Sequence, residues 1–276
     1  MMRATFQTQI EACLASDTAC QQLCRAVFEL EPDVLVESCV ISALDQKSAV
    51  VEVKYFEQVQ CVGGRRPGGF VEARCRSRAA GEWMARIATV EAASITAFAR
   101  LVRALEKHGA PAHLIAQARA AILDEVIHAG LTAQLARAMG AEIEAPVIAS
   151  AGEPTLVELA HENAVEGQVA ETFGALLATC QAQLATEPQI RGVFARIAID
   201  EARHAALAHE LAGWFDSVLD DDQRAAIARA RCAAAANIVA QFDVQLDDAD
   251  QVILGIPDAG ALRLAAAHTF AALITT

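Results

Sequence analysis

Hydrophobic residues recur at helical spacing from about residue 81 onward, and the periodic segments are separated by sharp breaks. Gly109, Pro111, Gly140 and Pro188 mark these breaks, because glycine ends helices and proline opens them. The third segment opens with a Thr-x-x-Glu capping box at Thr155. The pattern predicts helices over about 81–107, 111–139, 155–185, 187–216, 221–242 and 258–274.

The lengths of the connections predict how the four long helices are arranged. The first and second are joined by a short turn, as are the third and fourth, whereas 141–154 forms a longer link between the two pairs. Short turns join antiparallel neighbours, and one long connection crosses a bundle. We therefore expect a mainly α protein, a four-helix bundle with one crossover and extra C-terminal helices.

Residues 1–80 show a different pattern of hydrophobic and polar positions. A helix is predicted around 5–30, and CVISAL (39–44) and AVVEVKYFEQV (49–59) flank a polar turn; the second run alternates and is rich in Val, so the two predict a β-hairpin. GGRRPGGF (63–70) then predicts a flexible linker. The chain is thus expected to have a small α+β region over 1–80 and a helical domain over 81–276.

Charge narrows the range of partners. Of the formal net charge of −13, residues 81–276 hold most, with 13 Lys and Arg against 25 Asp and Glu. A basic stripe that could neutralise phosphates is missing from the sequence, so nucleic acid is not expected as a partner. Apolar runs such as 264–274 are too short to span a bilayer, and the first residues are polar, so we expect no membrane partner and a cytoplasmic location.

Six of the eight cysteines fall within the first 75 residues. Cys20-x-x-x-Cys24 has no second pair at the spacing usual for zinc. Reduced, half-buried thiols are the first interpretation, followed by a disulfide and then by zinc.

Charged residues occupy the apolar seam of the fourth predicted helix. Glu201 and His204 continue the line of Ile197 and Ala208, where an unpaired charge is costly. Residues three apart on a helix point the same way, so the two side chains can converge on one metal ion. The second predicted helix repeats this pattern with Glu125 and His128.

The first predicted helix contributes Glu91, in line with Ile87 and Ile95. Residues level with each other across a hairpin are equidistant from its turn. The midpoint of Glu91 and Glu125 is residue 108, at the break between the two helices. These carboxylates are therefore expected at one depth in the bundle.

The third predicted helix offers Glu162, Glu166 and Glu171. The midpoint with Glu201 falls between 183 and 184 for Glu166 and at 186 for Glu171, so the turn alone does not decide between them. Glu166 shares an apolar stripe with Leu159, whereas Glu171 lies roughly 140° around an α-helix from Glu166. Glu166 is the expected ligand, Glu162 a potential extra carboxylate and Glu171 the alternative.

Other polar residues are assigned elsewhere. Glu158 and His161 repeat the Glu-x-x-His spacing near a helix start, where capping explains Glu158. His209 and Glu210 lie off the seam, and we expect a partly exposed His209 paired with a neighbouring carboxylate. The alternative to a metal site is a helical bundle in which the buried charges pair with one another and no metal binds. We disfavour this alternative because six ionisable groups left unpaired in one core would be too costly.

The ordered set of these residues resembles the ferritin-like di-iron carboxylate superfamily, which includes bacterioferritin and rubrerythrin. DEARHA (200–205) is especially similar, and the resemblance covers about 81–217. More loosely, the whole chain resembles bacterial ferritin-like domain proteins with no assigned function. The residues that carry the resemblance are Glu91, Glu125, His128, Glu166, Glu201 and His204.

The resemblance implies two iron ions, each bound by one histidine, with a mixed manganese and iron pair as the alternative. It also implies that O2 or peroxide is the oxidant. Asp200 would bond His128 and Asp124 would bond His204, orienting the imidazoles. For these two aspartates the alternative is a surface salt bridge, for example with Arg203.

Residues and motifs that are missing from the sequence help to choose among the functions of di-iron proteins. A reductase that stores a radical needs a tyrosine near its metals, but the only tyrosine, Tyr55, is outside the helical region. A rubrerythrin-type peroxidase usually carries a rubredoxin module as its electron donor, and the paired cysteine spacing of that module is missing from the sequence. The first expectation is an oxidase or oxygenase that uses O2 to oxidise a small organic substrate. The alternatives are a ferroxidase or iron-handling protein, and a metal-stabilised binding module. A homodimer is left open, and the electron donor is unidentified.

Overall fold

The computed structural model describes residues 35–43, 49–56, 64–71, 79–150, 152–241 and 246–274. The chain divides into two compact units, Met1–Val59 and Gln60–Thr276, whereas the sequence pattern suggested a boundary near residue 80. The helix predicted over 5–30 lies outside the described residues. Of the cysteines, Cys180 and Cys232 are described as free thiols.

A β-hairpin is the described part of the first unit. Strand β1 (Leu35–Ala43) pairs antiparallel with β2 (Ala49–Phe56), with an irregularity in register between Val36 and Ser38. The two runs that predicted the hairpin lie in these strands, so the antiparallel pair is confirmed, although the connecting turn lies outside the described residues.

The second unit is mainly helical. Asn163–Glu171 is π-helical and joins two α-helices into one continuous rod; we call it the π segment. The elements are β3 (Phe70–Val71), α1 (Ala80–Lys107), α2 (Ala112–Ala138), β4 (Val147–Ile148), α3 (Leu156–Glu162), the π segment, α4 (Thr172–Leu184), α5 (Pro188–Val218), α6 (Asp221–Gln241), α7 (Asp248–Leu254) and α8 (Ala259–Ile274).

Local chemistry fixes several boundaries close to where the sequence predicts them. The Thr155 side chain accepts a hydrogen bond from the backbone N–H of Glu158, whose carboxylate accepts one from the Thr155 N–H. Pro188 occupies the first turn of α5, where its missing N–H costs nothing. Helix α7 and the β3–β4 pair were not predicted, because such short elements leave little periodicity in a sequence.

Helix α1 packs against α2, and α4 against α5, so each short turn joins neighbours as expected. Helix α2 also contacts α5, and the π segment contacts α5 and α6. Among the described helices, none combines the length and the apolar character that crossing a bilayer requires.

The core of this unit consists of two hydrophobic clusters. Ile197 on α5 belongs to the first, together with Trp83 and Phe173, and Leu207 on α5 belongs to the second, together with Phe98. Between Ile197 and Leu207, the buried residues of α5 are Asp200, Glu201 and His204, with Ala205 the one apolar residue among them. The two clusters are therefore separated by a charged layer, which is an expensive arrangement unless something compensates the charges.

Candidate metal centre

Six ionisable side chains form the charged layer, and we call them the Glu/His cluster. They come from α1, α2, the π segment and α5, and each is between 0 and 3% exposed. Because α2 and α5 pack together, the Glu-x-x-His pairs of these two helices face each other. The members are Glu91, Glu125, His128, Glu171, Glu201 and His204.

The Glu/His cluster consists of two overlapping groups of ligand atoms. One atom from each of Glu91, Glu125, His128 and Glu201 lies within 4.8 Å of the others. The same is true of the second group, formed by Glu125, Glu171, Glu201 and His204. Glu125 and Glu201 belong to both groups, and each group could hold a metal ion.

Distances within the cluster follow a near-symmetrical pattern. Nδ1 of His128 lies 3.3 Å from Oε1 of Glu201, and Nδ1 of His204 lies 3.2 Å from Oε1 of Glu125. Each imidazole therefore comes closest to the shared glutamate of the opposite helix. The outer carboxylates are slightly farther, with Glu91 3.8 Å from His128 Nδ1 and Glu171 3.8 Å from His204 Nδ1.

Many polar atoms of the cluster lack hydrogen bonds. Within the described part of the chain, nine buried oxygen and nitrogen atoms of these six residues have no hydrogen-bond partner, including Nδ1 of both histidines. Buried polar groups are nearly always satisfied, so such a concentration of orphaned atoms indicates a missing partner. Carboxylates and imidazoles are the ligands that iron, manganese and zinc accept, and the residues fit such an ion.

Burial and charge shift the pKa values of the cluster in opposite directions. Burial raises the pKa of Glu91 and of Glu171 well above its ordinary value, and neighbouring carboxylates raise it further. Glu125 is also buried, but His128 and His204 outweigh the burial and lower its pKa to about 2. Burial opposes protonation of both histidines, yet Glu125 and the other carboxylates around them raise the pKa of each. The cluster thus favours bound positive charge.

Glu171 is the carboxylate that the rod of α3, the π segment and α4 brings to the cluster, whereas the sequence favoured Glu166 and kept Glu171 as the alternative. The 140° separation assumed an α-helix between the two residues, but both lie in the π segment, which turns less per residue. One signal was available in the sequence. The midpoint of Glu171 and Glu201 is residue 186, the centre of the turn that follows Leu184 and precedes Pro188.

Glu162 and Glu166 pair with arginines from the Gly-rich segment instead. Arg65 donates to Oε1 of Glu162 from Nη2 at 3.2 Å, and Arg66 donates to Oε2 of Glu166 from Nε at 3.0 Å. Arg65 is 1% exposed, and its guanidinium lies 6.0 Å from the centre of the Phe98 ring. The described part of the predicted linker over 63–70 is therefore hydrogen-bonded to this rod, and composition alone could not reveal these distant carboxylates.

Gly64 brings this segment up to the cluster itself. Its φ of +56° is a left-handed conformation, and a Cβ here would meet Ser94 Oγ at 2.2 Å and Glu91 Oε2 at 3.3 Å. Phe98, beneath Arg65, lies against His204 with ring centroids 5.0 Å apart. Arg65 and Phe98 therefore close one side of the Glu/His cluster, which the sequence did not signal.

The two aspartates that precede the glutamates contact the outer nitrogens of the histidines. Nε2 of His128 lies 3.2 Å from Oδ2 of Asp200, and Nε2 of His204 lies 3.4 Å from Oδ2 of Asp124. Arg203 donates to both aspartates, at 3.0 Å to Asp124 and 2.6 Å to Asp200. The orienting contact and the salt bridge are thus both present, and they leave Nδ1 of each imidazole facing the carboxylates.

The remaining predictions fall outside the cluster. Among the residues that the structure describes, no carboxylate pairs with His209, contrary to expectation, and its Nδ1 lies 3.2 Å from Nε2 of Gln168. Glu210 accepts a hydrogen bond from Gln117 at 2.9 Å. His161 is exposed, and Glu158 caps α3 as predicted.

Comparison of the chain with protein families, with characterised proteins and with solved structures finds no match.

Proposed function

We propose that the second unit is a ferritin-like four-helix bundle that holds two iron ions and uses O2 to oxidise a small organic substrate. The observation that carries the proposal is the pair of overlapping ligand groups that share Glu125 and Glu201. Glu125 and Glu201 belong to both groups, so these carboxylates would help to hold both ions, whose chemistry would be the activation of O2. The terminal ligands would be Glu91 and His128 for one ion, and Glu171 and His204 for the other.

The chemistry divides between the ions and the chain. A bound iron pair would supply electrons to O2 and be reduced again by the organic substrate or by an external donor. Asp124 and Asp200 fix the ring orientation of the histidines, and the two apolar clusters exclude water from the layer between them.

Ferroxidase is the main alternative, and an acidic route from the surface to the Glu/His cluster would favour it. Glu162 and Glu166 precede Glu171 on the same rod, but Arg65 and Arg66 neutralise them. Because these carboxylates are paired with arginines, they do not form an acidic route for Fe(II) along this rod. The pairing therefore supports an organic substrate over Fe(II) as the substrate. A metal-stabilised binding module would hold the ions without reacting with O2.

Anaerobic titration with Fe(II), followed by exposure to O2, tests the proposal. We expect about two irons per chain by Mössbauer spectroscopy and an optical change on oxidation. An organic oxidase should oxidise only its bound iron when excess Fe(II) is supplied, whereas a ferroxidase should continue until Fe(II) is exhausted. Failure to bind two irons, or bound iron inert to O2, would overturn the di-iron proposal.

A pair of variants on the π segment provides the control. Glu171→Gln should lose at least one iron, because it removes a terminal ligand of the second group. Glu166→Gln should retain both irons, because Glu166 pairs with Arg66 outside the cluster. Equal losses in the two variants would contradict the assigned ligand set.

A further inference from the structure

A cleft with a volume of about 530 Å³ lies between α5, α6 and the rod formed by α3 and the π segment. Phe215, Leu219 and Ile227 provide much of its apolar lining. Pockets for small molecules usually measure about 300–1,000 Å³ and combine apolar walls with a few polar groups. The size and lining of this cleft are therefore those of a small-molecule site.

The cleft is distinct from the Glu/His cluster. None of the described residues that line the cleft belongs to the Glu/His cluster; Ala212 follows Glu201 on α5 by eleven residues, whereas Gln168 precedes Glu171 by three. A molecule in the cleft would not contact the proposed metal ions. The ligand site described below therefore does not depend on the proposed function.

Arg231 supplies an uncompensated charge to the cleft. Its Nε atom is buried, and in the described part of the chain Arg231 has no hydrogen bond and no ion pair. Arg224, the other arginine of the cleft, is held by the carbonyl oxygens of Asp216 and Leu219. A buried guanidinium atom without an acceptor is costly, so the arrangement calls for an anionic partner.

The surroundings of Arg231 offer little to neutralise it. Burial lowers the pKa of His209, and the positive charge of Arg231 lowers it further. Asp216 is exposed, whereas the buried side chain of Gln168 contributes only an amide. Asp216 and Arg224 are the other charged residues of the described lining, and Arg231 forms no ion pair with the Asp216 carboxylate there.

We propose that this cleft binds a small organic monocarboxylate. Its carboxylate would pair with the guanidinium of Arg231, and its hydrocarbon part would pack against Phe215, Leu219 and Ile227. A carboxylate satisfies two donors of one guanidinium in a bidentate pair, and the apolar lining favours a molecule with a hydrocarbon body. The site is a new binding function of the helical unit, separate from metal chemistry.

Binding of hexanoate and benzoate to the full-length protein, measured by ligand-detected NMR and calorimetry, tests this proposal. The neutral amides hexanamide and benzamide serve as probes of matched shape. Because a charged hydrogen bond is lost, we expect each amide to bind at least about tenfold more weakly than its acid. Acids and amides that bind equally, or acids with dissociation constants above about 10 mM, would overturn it.

Substitutions locate the binding site. Arg231→Gln should weaken hexanoate binding about tenfold or more, whereas Arg229→Gln, an exposed arginine on the same helix, should leave it unchanged. Ala228→Leu enlarges a lining residue and should block the cleft without altering charge. Circular dichroism verifies that each variant is folded. Unchanged binding in Ala228→Leu, or equal losses at positions 229 and 231, would place the anion elsewhere.

Discussion

At the scale of single residues, charge balance is the central property of the Glu/His cluster. Four buried carboxylates face two imidazoles, and the cluster compensates part of this negative charge with protons, as the raised pKa values of its histidines indicate. Two divalent ions would balance four carboxylates without any protons. Metal and protons should therefore compete for the same atoms.

Metal binding should release protons. Because the surrounding carboxylates raise the pKa of His128 and His204, both rings keep their protons to a higher pH than a free imidazole, and Nδ1 must lose its proton to bind an ion. The affinity should therefore increase as the pH rises. Calorimetry with Mn(II) in two buffers of different ionisation enthalpy should show proton release, to which Glu91 and Glu171 also contribute because their pKa values are raised. A heat that is independent of the buffer would contradict this prediction.

Asp200→Asn should weaken metal binding although Asp200 is not a ligand. The substitution removes the negative charge that faces Nε2 of His128, and such outer contacts contribute about 10–100-fold to metal affinity. Asp216→Asn changes an exposed aspartate on the same helix and is the control. Competition titrations against a chelator measure both affinities. An Asp200→Asn affinity equal to that of the control would show that this contact does not support the site.

At the scale of secondary structure, the long helices were predictable and the π segment was not. The bounds of α1, α2 and α5 follow from apolar periodicity and from glycine or proline at the ends. Periodicity assumes one rotation per residue, and the π segment breaks that assumption between Glu166 and Glu171. Five of the six cluster residues were therefore identified from the sequence, and the sixth only as an alternative.

The role of Arg65 was not predictable for a different reason. Glycine and proline around it indicate a loop, but its partner Glu162 lies 97 residues away in the sequence. Pairing over such a separation leaves no local pattern. The same applies to Phe98, whose apolar spacing on α1 does not reveal that its ring lies between Arg65 and His204.

Gly167→Ala should destabilise the rod at the point where Arg65 enters. A Cβ at Gly167 would lie 2.8 Å from that of Ala208 and 3.1 Å from Nη1 of Arg65, so we expect a loss of about 1–3 kcal/mol in the free energy of unfolding. Gly213→Ala is the matched control, because nothing lies within 4 Å of its Cβ and alanine favours a helix by about 0.5–1 kcal/mol. Urea denaturation measures both. A neutral Gly167→Ala substitution would show that the close approach does not matter.

At the scale of the whole molecule, the charged layer divides the core into two apolar clusters. The metal-free protein therefore keeps its costliest groups at the centre of its helical unit. Anything that binds the folded form alone stabilises it, by about 2.7 kcal/mol at a hundredfold excess over the dissociation constant.

Metal should consequently raise the melting temperature. For a unit of this size, that stabilisation corresponds to an increase of about 5–10 °C in Tm. Scanning calorimetry of the protein with Mn(II) and with EDTA measures the shift. Glu171→Gln should reduce the shift, whereas Glu166→Gln should keep it, and an equal Tm with and without metal would contradict the prediction.

The two tryptophans of the chain lie in different halves of this divided core. Trp83 is fully buried within the first apolar cluster, 5.3 Å from the Arg86 guanidinium, whereas Trp214 packs against Phe215 at the cleft, with ring centroids 4.8 Å apart. Each half therefore carries its own intrinsic fluorophore. In Trp83→Phe the emission reports on the cleft half alone, and in Trp214→Phe it reports on the other, so local melting of the two halves can be followed separately without any attached dye.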